Sequence, residues 1–294
     1  MAIKPFVYVA PRSIQEACSV INEHPEGAKV LAGGQSLLPL LKLNLTEVSY
    51  LVDLKRIPGL AQVSVGDDRL VVGALATLSD LARSETVLRT VPLLAETARG
   101  VGHPLVRNRG TIGGSLSHCD PASDICATAL ALDARITTAR HDGERRFVEA
   151  RDFFTGMFTN ALGRGEILES VSIPIQPKGS GYSFRKLTMG HGDFPLIVVS
   201  VLMSMEGRSC AKAAIALGGV SDRPIRARDA EQLLNGVEDL RTEHIERAAA
   251  ACAELSRPSS DLEVSAAYKR RMVEVFVRRA LTEAVQRSRG AAEA

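Results

Sequence analysis

A chain of 294 residues, 45% hydrophobic and 24% charged, is long enough to bury more than one core at the usual ~100–200 residues per domain, which excludes a disordered protein. Its 36 basic and 34 acidic side chains leave a formal charge of +2, so bulk charge makes no case for nucleic acid or an anionic membrane. The opening segment has no apolar signal core, no apolar run reaches ~18 residues, and the five cysteines are scattered without a C-x-x-C; the expectation is a cytoplasmic chain with reduced thiols, no membrane insertion and no iron–sulfur or zinc ligand set of its own.

The first segment reads as an α/β unit. Ser13 and Glu16 form a capping-box pattern, and Ile14, Ala17, Cys18 and Ile21 share one helical face. A strand over 28–31 runs into Gly33-Gly34, Ser36 is placed to cap a leucine-rich turn interrupted by Pro39, and 50–54 reads as a second strand before Pro58-Gly59. Hairpins follow, around Gly66-Asp67-Asp68 and later around Asp142-Gly143. Between them come two short helices, one after Thr77 and one over 90–98, a loop-like approach over 101–110, and a helix over 121–134. The stretch 153–162 reads as loop or short helix and 167–173 as a strand; Pro174, Pro177, Gly179 and Gly181 then mark a boundary. Beyond it lie three strands (182–187, 196–205, 211–217) and three helices (about 227–234, 242–255 and 265–287). The expected units are 1–57, 58–177 and 178–288, with a flexible tail over 289–294.

Two stretches carry a phosphate-cradle pattern. Ala32-Gly33-Gly34-Gln35-Ser36 and Thr111-Ile112-Gly113-Gly114-Ser115 each place paired glycines behind an apolar run and before a hydroxyl residue, so backbone N–H groups can approach an anion. A single Gly-Gly is most often an ordinary turn. The pairing, about 80 residues apart, suggests two subdomains facing one crevice. A Rossmann G-x-G-x-x-G and a G-x-x-x-x-G-K-[ST] loop are both absent. Asp124 is either a helix-start acid, worth up to ~1 kcal/mol, or an acceptor for a ribose. From local sequence Lys186 reads as a solvated strand lysine. His118, Cys119, Asp120, Asp124 and Cys126 match no metal spacing. The basic run 268–271 with Arg278 and Arg279 alternates with apolar residues, as on a packed helix with a solvated or partner-facing basic side.

The stretches KVLAGGQSLLPLLKL, VGHPLVRNRGTIGGSLSHCDPASD, ILESVSIP, and FRKL followed by HGDFPLI resemble the FAD-binding medium subunits of bacterial molybdenum hydroxylases. That group includes carbon monoxide, nicotine, nicotinate and caffeine dehydrogenases, and the FAD domain of xanthine dehydrogenase is similar. The resemblance spans Pro5 to about Val285.

It implies an α+β fold: a vanillyl-alcohol-oxidase-type FAD-binding domain of two α/β subdomains, plus a C-terminal three-stranded antiparallel sheet with helices. Lys29, Val30 and Leu31 would lead into the first cradle. Backbone N–H groups of Ala32, Gly33, Gly34, Gln35, Ser36 and Leu37, and of Thr111, Ile112, Gly113, Gly114 and Ser115, would hold the FAD pyrophosphate. Asp124 would bind the ribose side. Val101, His103, His118, Asp120, Ile167, Leu168 and Lys186 would lie along the cofactor, with Lys186 tuning the flavin. The family motif often has asparagine where Ser115 stands.

The resemblance further implies an electron-transfer role. Electrons would leave an organic substrate at a molybdenum–molybdopterin centre in a large subunit, cross two [2Fe–2S] clusters in a small subunit and reach FAD here, in a heterotrimer or a dimer of heterotrimers. A self-sufficient NADPH-dependent reductase of the cell-wall-precursor type and a non-catalytic nucleotide-binding module are the alternatives. The organic substrate is chosen on another chain.

Overall fold

The computed structural model describes residues 4–190 and 192–293; residues 1–3, His191 and Ala294 lie outside it. The first unit comprises β1 (Val7–Val9), α1 (Ile14–Glu23), β2 (Ala28–Leu31), α2 (Leu37–Lys42) and β3 (Tyr50–Asp53). Its strands lie in the order β1-β3-β2, all parallel. α1 begins where the sequence places it, because Ser13 accepts the Glu16 N–H and Glu16 in turn accepts the Arg12 N–H. Its Ile14, Ala17 and Cys18 pack on Val52 and Leu54. The cap expected from Ser36 is not made: its side chain accepts no N–H of α2.

The second unit contains β4 (Val63–Gly66), β5 (Arg69–Gly73), α3 (Leu78–Arg83), α4 (Glu85–Thr90), α5 (Pro92–Gly100), α6 (Pro104–Arg107), α7 (Ile112–His118), α8 (Asp124–Ala131), β6 (Arg135–Ala139), β7 (Arg145–Glu149), α9 (Ala150–Phe153), β8 (Phe154–Gly156), β9 (Thr159–Asn160) and β10 (Ile167–Pro174). Its main sheet is antiparallel in the order β4-β5-β10-β6-β7, with Val171 of β10 opposite Val72 on one side and Ile136 on the other. Those side chains form one core with Leu81, Leu94, Leu116 and Ile125 from the helices. Three helices stand where two were expected, since Ser84 accepts the Val87 N–H to start α4 and Pro92 opens α5. The α6 turn interrupts the expected loop, and 154–160 forms the small β8–β9 hairpin.

The third unit is β11 (Gly181–Leu187), β12 (Ile197–Glu206), β13 (Ser209–Gly218), β14 (Ile225–Arg226), α10 (Arg228–Gln232), α11 (Thr242–Leu255) and α12 (Ala266–Glu293). The expected three-stranded antiparallel sheet gains a fourth, two-residue strand, β14, paired to Ala216 and Leu217. Val199, Val201 and Ile215 pack on Ala248 and Cys252 of α11 and on Val273, Val277 and Leu281 of α12. α12 continues to Glu293, where the sequence suggested a tail from 289. The sheet's other face meets the second unit: the Thr128 hydroxyl of α8 lies 2.5 Å from that of Ser200 and 2.9 Å from that of Thr97. No helix among the described residues is long and apolar enough to cross a membrane.

Candidate FAD site

The two glycine motifs meet. The strand β2 delivers Leu31 into the core, and the chain turns at Gly34 with φ +72°, a left-handed conformation that a side chain rarely adopts. A Cβ on Gly33 would lie 2.0 Å from the carbonyl oxygen of Arg109, so the first loop runs backbone against backbone along the segment leading into the second. A Cβ on Gly114 would come 3.6 Å from that of Ala32.

The motifs do different work. Among the described residues, the N–H groups of Gly33, Gly34, Gln35, Ser36 and Leu37 donate no hydrogen bond, which leaves five successive donors running into the first residue of α2. In the second motif the expected cradle donors are engaged by the fold. Ile112 donates to Ala76, Gly113 to Ala74, and Ser115 to the Thr111 carbonyl, while Gly114 donates to the Thr111 hydroxyl at 3.0 Å. Only the Thr111 N–H donates nothing among the described residues. Gly113 is small because its missing Cβ would sit 2.6 Å from that of Ala74. Four of these five N–H groups therefore anchor α7, and the motif forms a wall against the first loop.

Asp124 begins α8 after the Ser123 cap and is 5% exposed. Its Oδ2 accepts from the Lys186 ammonium at 3.0 Å, joining α8 to β11, whereas its buried Oδ1 has no hydrogen-bond partner among the described residues. Burial pushes the Asp124 pKa up to about 6, against the pull of the Lys186 charge. An unpartnered buried carboxylate oxygen is costly and is suited to a hydroxyl donor. Lys186, read locally as solvated, has a side chain only 18% exposed.

The remaining residues fall in two groups. Val101 packs at the margin of the second unit's core directly after Gly100, whose missing Cβ would lie 2.8 Å from the Phe184 ring, two residues before Lys186. His103 is exposed and abuts Gly192, where a Cβ would lie 2.2 Å from its Nε2. His118 lies against Phe158, with ring centroids 5.2 Å apart. Ile167 and Leu168, by contrast, are 3% exposed core residues of β10. Asp120 accepts the Ala122 N–H at 2.8 Å, and its charge adds a minor upward push to the Asp124 pKa. Lys29 is exposed on β2, flanked by half-buried Val30. Burial pushes the Cys119 thiol up to about 11 and raises that of Cys126, which removes both as nucleophiles. No group of three or more His, Cys, Asp or Glu among the described residues is placed to hold a metal.

Sequence reading missed Arg109, Ala74 and Glu96. Arg109 acts through its carbonyl, and Ala74 through its carbonyl and its small Cβ, contacts that no local sequence pattern announces. Glu96 of α5 accepts the Phe184 N–H at 3.1 Å and pairs with Arg287, holding β11 and Lys186 against the second unit.

Residues 4–176 match the model of the FAD binding domain in molybdopterin dehydrogenase, and residues 182–284 that of the CO dehydrogenase flavoprotein C-terminal domain. The nicotine 6-hydroxylase medium subunit of Paenarthrobacter nicotinovorans is 35% identical over 98% of this chain and 100% of its own. Among solved structures, carbon monoxide dehydrogenase from Hydrogenophaga pseudoflava superposes with a TM-score of 0.95 at 36% identity, covering 98% of this chain and 99% of that one. Quinoline 2-oxidoreductase from Pseudomonas putida 86 gives 0.92 at 35% identity, covering 99% of each.

Proposed function

The chain belongs to the family of FAD-binding medium subunits of molybdenum hydroxylases, and from that premise we propose that it holds FAD between the glycine motifs and relays electrons from partner subunits to an external acceptor. The observation that carries the reading is the run of five unengaged N–H donors from Gly33 to Leu37, in a loop fixed against the second motif. Such a run suits a diphosphate, which accepts several hydrogen bonds at once. Asp124 Oδ1 then supplies the acceptor for a ribose or ribityl hydroxyl, and Lys186 a fixed positive charge beside it. Thr111, Gly114 and Ser115 contribute shape and side-chain hydroxyls in place of the N–H set first expected. Val101 and His118 line the approach, while Ile167 and Leu168 support it from the core.

When bound, FAD supplies a carrier that exchanges electrons singly or in pairs. In this reading the molybdenum–molybdopterin centre and two [2Fe–2S] clusters reside on a large and a small partner subunit, the assembly being a dimer of heterotrimers. The five cysteines, all buried and unpaired, support a reducing cytoplasmic setting. The relatives act on nicotine, carbon monoxide and quinoline with one shared medium-subunit fold, so substrate choice belongs to the large subunit.

Purification of the native complex tests the proposal. The expected result is a yellow medium subunit with one FAD, co-purifying with separate chains that contain molybdenum and iron. A colourless chain that takes up no FAD sinks the flavin reading, and a yellow chain that reduces its own FAD with NADPH and has no partners supports the reductase instead.

A further inference from the structure

Among helices α3 to α6 of the second unit, a cavity of about 360 Å³ is lined by Arg83, Arg99 and Arg107 together with Ser79, Asn108 and Leu88. Its volume falls at the small end of the usual ~300–1,000 Å³ for ligand sites. Each arginine closes a different helix: Arg83 lies in the last turn of α3, Arg99 of α5 and Arg107 of α6. A basic residue in a helix's last turn is ordinarily explained by the helix dipole alone. That explanation covers each arginine singly but not their convergence. Each helix end offers about half a negative charge against a full positive charge on each guanidinium, so the cavity stays cationic.

The hydrogen bonds show which donors are left. Arg99 donates through Nη2 to the Ala82 carbonyl at 3.2 Å, and Arg107 through Nη1 to the carbonyls of Val101 and Gly102 at 3.0 and 2.7 Å. These bonds fix two guanidiniums while leaving most of their N–H groups uncommitted. Among the described residues, Arg83 has no hydrogen-bond or ion-pair partner, and neither Arg99 nor Arg107 has a carboxylate partner. No carboxylate lines the cavity. Asp80, next to Ser79, accepts from the Thr77 hydroxyl at 2.6 Å. Three cations around a concave surface repel one another unless an anion joins them, and fixed guanidiniums match the oxygens of a phosphate. Leu88, 40% exposed, adds an apolar wall that a bare inorganic ion would not use.

We propose that this cavity binds a small phosphate ester, with the phosphate between Arg83, Arg99 and Arg107 and an apolar portion against Leu88. Arg107, which would hold the ester, also grips the carbonyls of Val101 and Gly102 and so ties the cavity to that segment. None of the residues lining it belongs to either glycine motif.

Calorimetric titration of AMP and of inorganic pyrophosphate into the FAD-saturated chain tests this, with Arg83→Gln and Arg99→Gln as variants. Neither residue touches the glycine motifs, so flavin content stays at the wild-type level. The expected result is saturable AMP binding that is weakened at least about tenfold in each variant, the scale for losing a charge-assisted hydrogen bond. Tighter binding of pyrophosphate than of AMP, lost in the same variants, keeps the anion site but overturns the apolar wall. Absence of saturable binding, or binding unchanged in Arg83→Gln, overturns the site.

Discussion

Lys186 Nζ lies 3.0 Å from Asp124 Oδ2, and the carboxylate's other oxygen is buried with no partner among the described residues. The pair joins β11 of the third unit to the start of α8 in the second, so an unsatisfied acceptor is held at the seam between units.

The first prediction concerns pH. Asp124 titrates at about 6 when folded, with burial the main cause, against ~3.9 for a free aspartate. The folded state thus binds more protons between these values, so the flavin-free chain loses stability as pH rises from about 4 to about 6 and levels off above. Asp124→Asn removes this slope. Lys186→Met extends it to higher pH, because the ammonium lowers the Asp124 pKa. Urea unfolding of the flavin-free proteins in steps across this range is the check, and identical slopes in wild type and Asp124→Asn would falsify the assignment.

Gly33 and Gly113 should fail in different ways. In Gly33→Ala the new Cβ meets the Arg109 carbonyl, a backbone atom that no rotamer change can move. The first loop is displaced, and the variant folds with strongly reduced FAD content. In Gly113→Ala the clash is with buried Ala74 inside the second unit, at an overpacking cost of about 1–3 kcal/mol, read as a lower melting temperature. Equal flavin loss without destabilisation in both would return the second motif to a donor role.

Arg226 should be a stability residue. Its side chain, 7% exposed, pairs with the equally buried Glu231 and also donates to the Leu130 carbonyl and Asp133 of the second unit. Arg226→Met strands the Glu231 carboxylate, which keeps only the Ile215 N–H, and lowers stability by about 3–5 kcal/mol. Denaturant unfolding measures this; a loss below about 1 kcal/mol would show the pair to be dispensable.

Glu96→Ala leaves the Phe184 N–H without its acceptor and takes from Arg287 one of its two carboxylate partners, Glu283 remaining, and so destabilises the chain by about 1–3 kcal/mol. Glu96→Gln keeps an acceptor for Phe184 and so retains part of that energy. Both variants loosen β11, and the visible flavin spectrum should shift in Ala more than in Gln. An unshifted spectrum in Glu96→Ala would mean that β11 is held well enough by its pairing with β12.

What the sequence made legible follows interaction range. α11 over 242–255 was readable because Ile245, Ala248, Ala249 and Cys252 repeat at helical spacing, and the strands of the third unit because their apolar runs are bounded by turns. The candidate ligand loops were also visible, since paired glycines after an apolar run are a local pattern. Hidden were the contacts made through backbone atoms, such as Gly33 with Arg109 and Gly113 with Ala74, because any residue supplies a carbonyl. Lys186 was misread as solvated for a related reason: its partner lies in another unit, and nothing near position 186 announces it. β14, at two residues, is below the length at which a strand has a pattern.

The backbone contact between Gly33 and Arg109 also sets an order of events in biogenesis. A nascent chain that has emerged only through the first unit exposes the Gly33–Leu37 donors to water with nothing behind them. The loop takes its final shape once the ribosome has delivered the segment around Arg109 and α7 has docked. Cofactor insertion is thereby deferred until two separately synthesised portions have joined, and a bound FAD would act as a clasp whose release requires them to part.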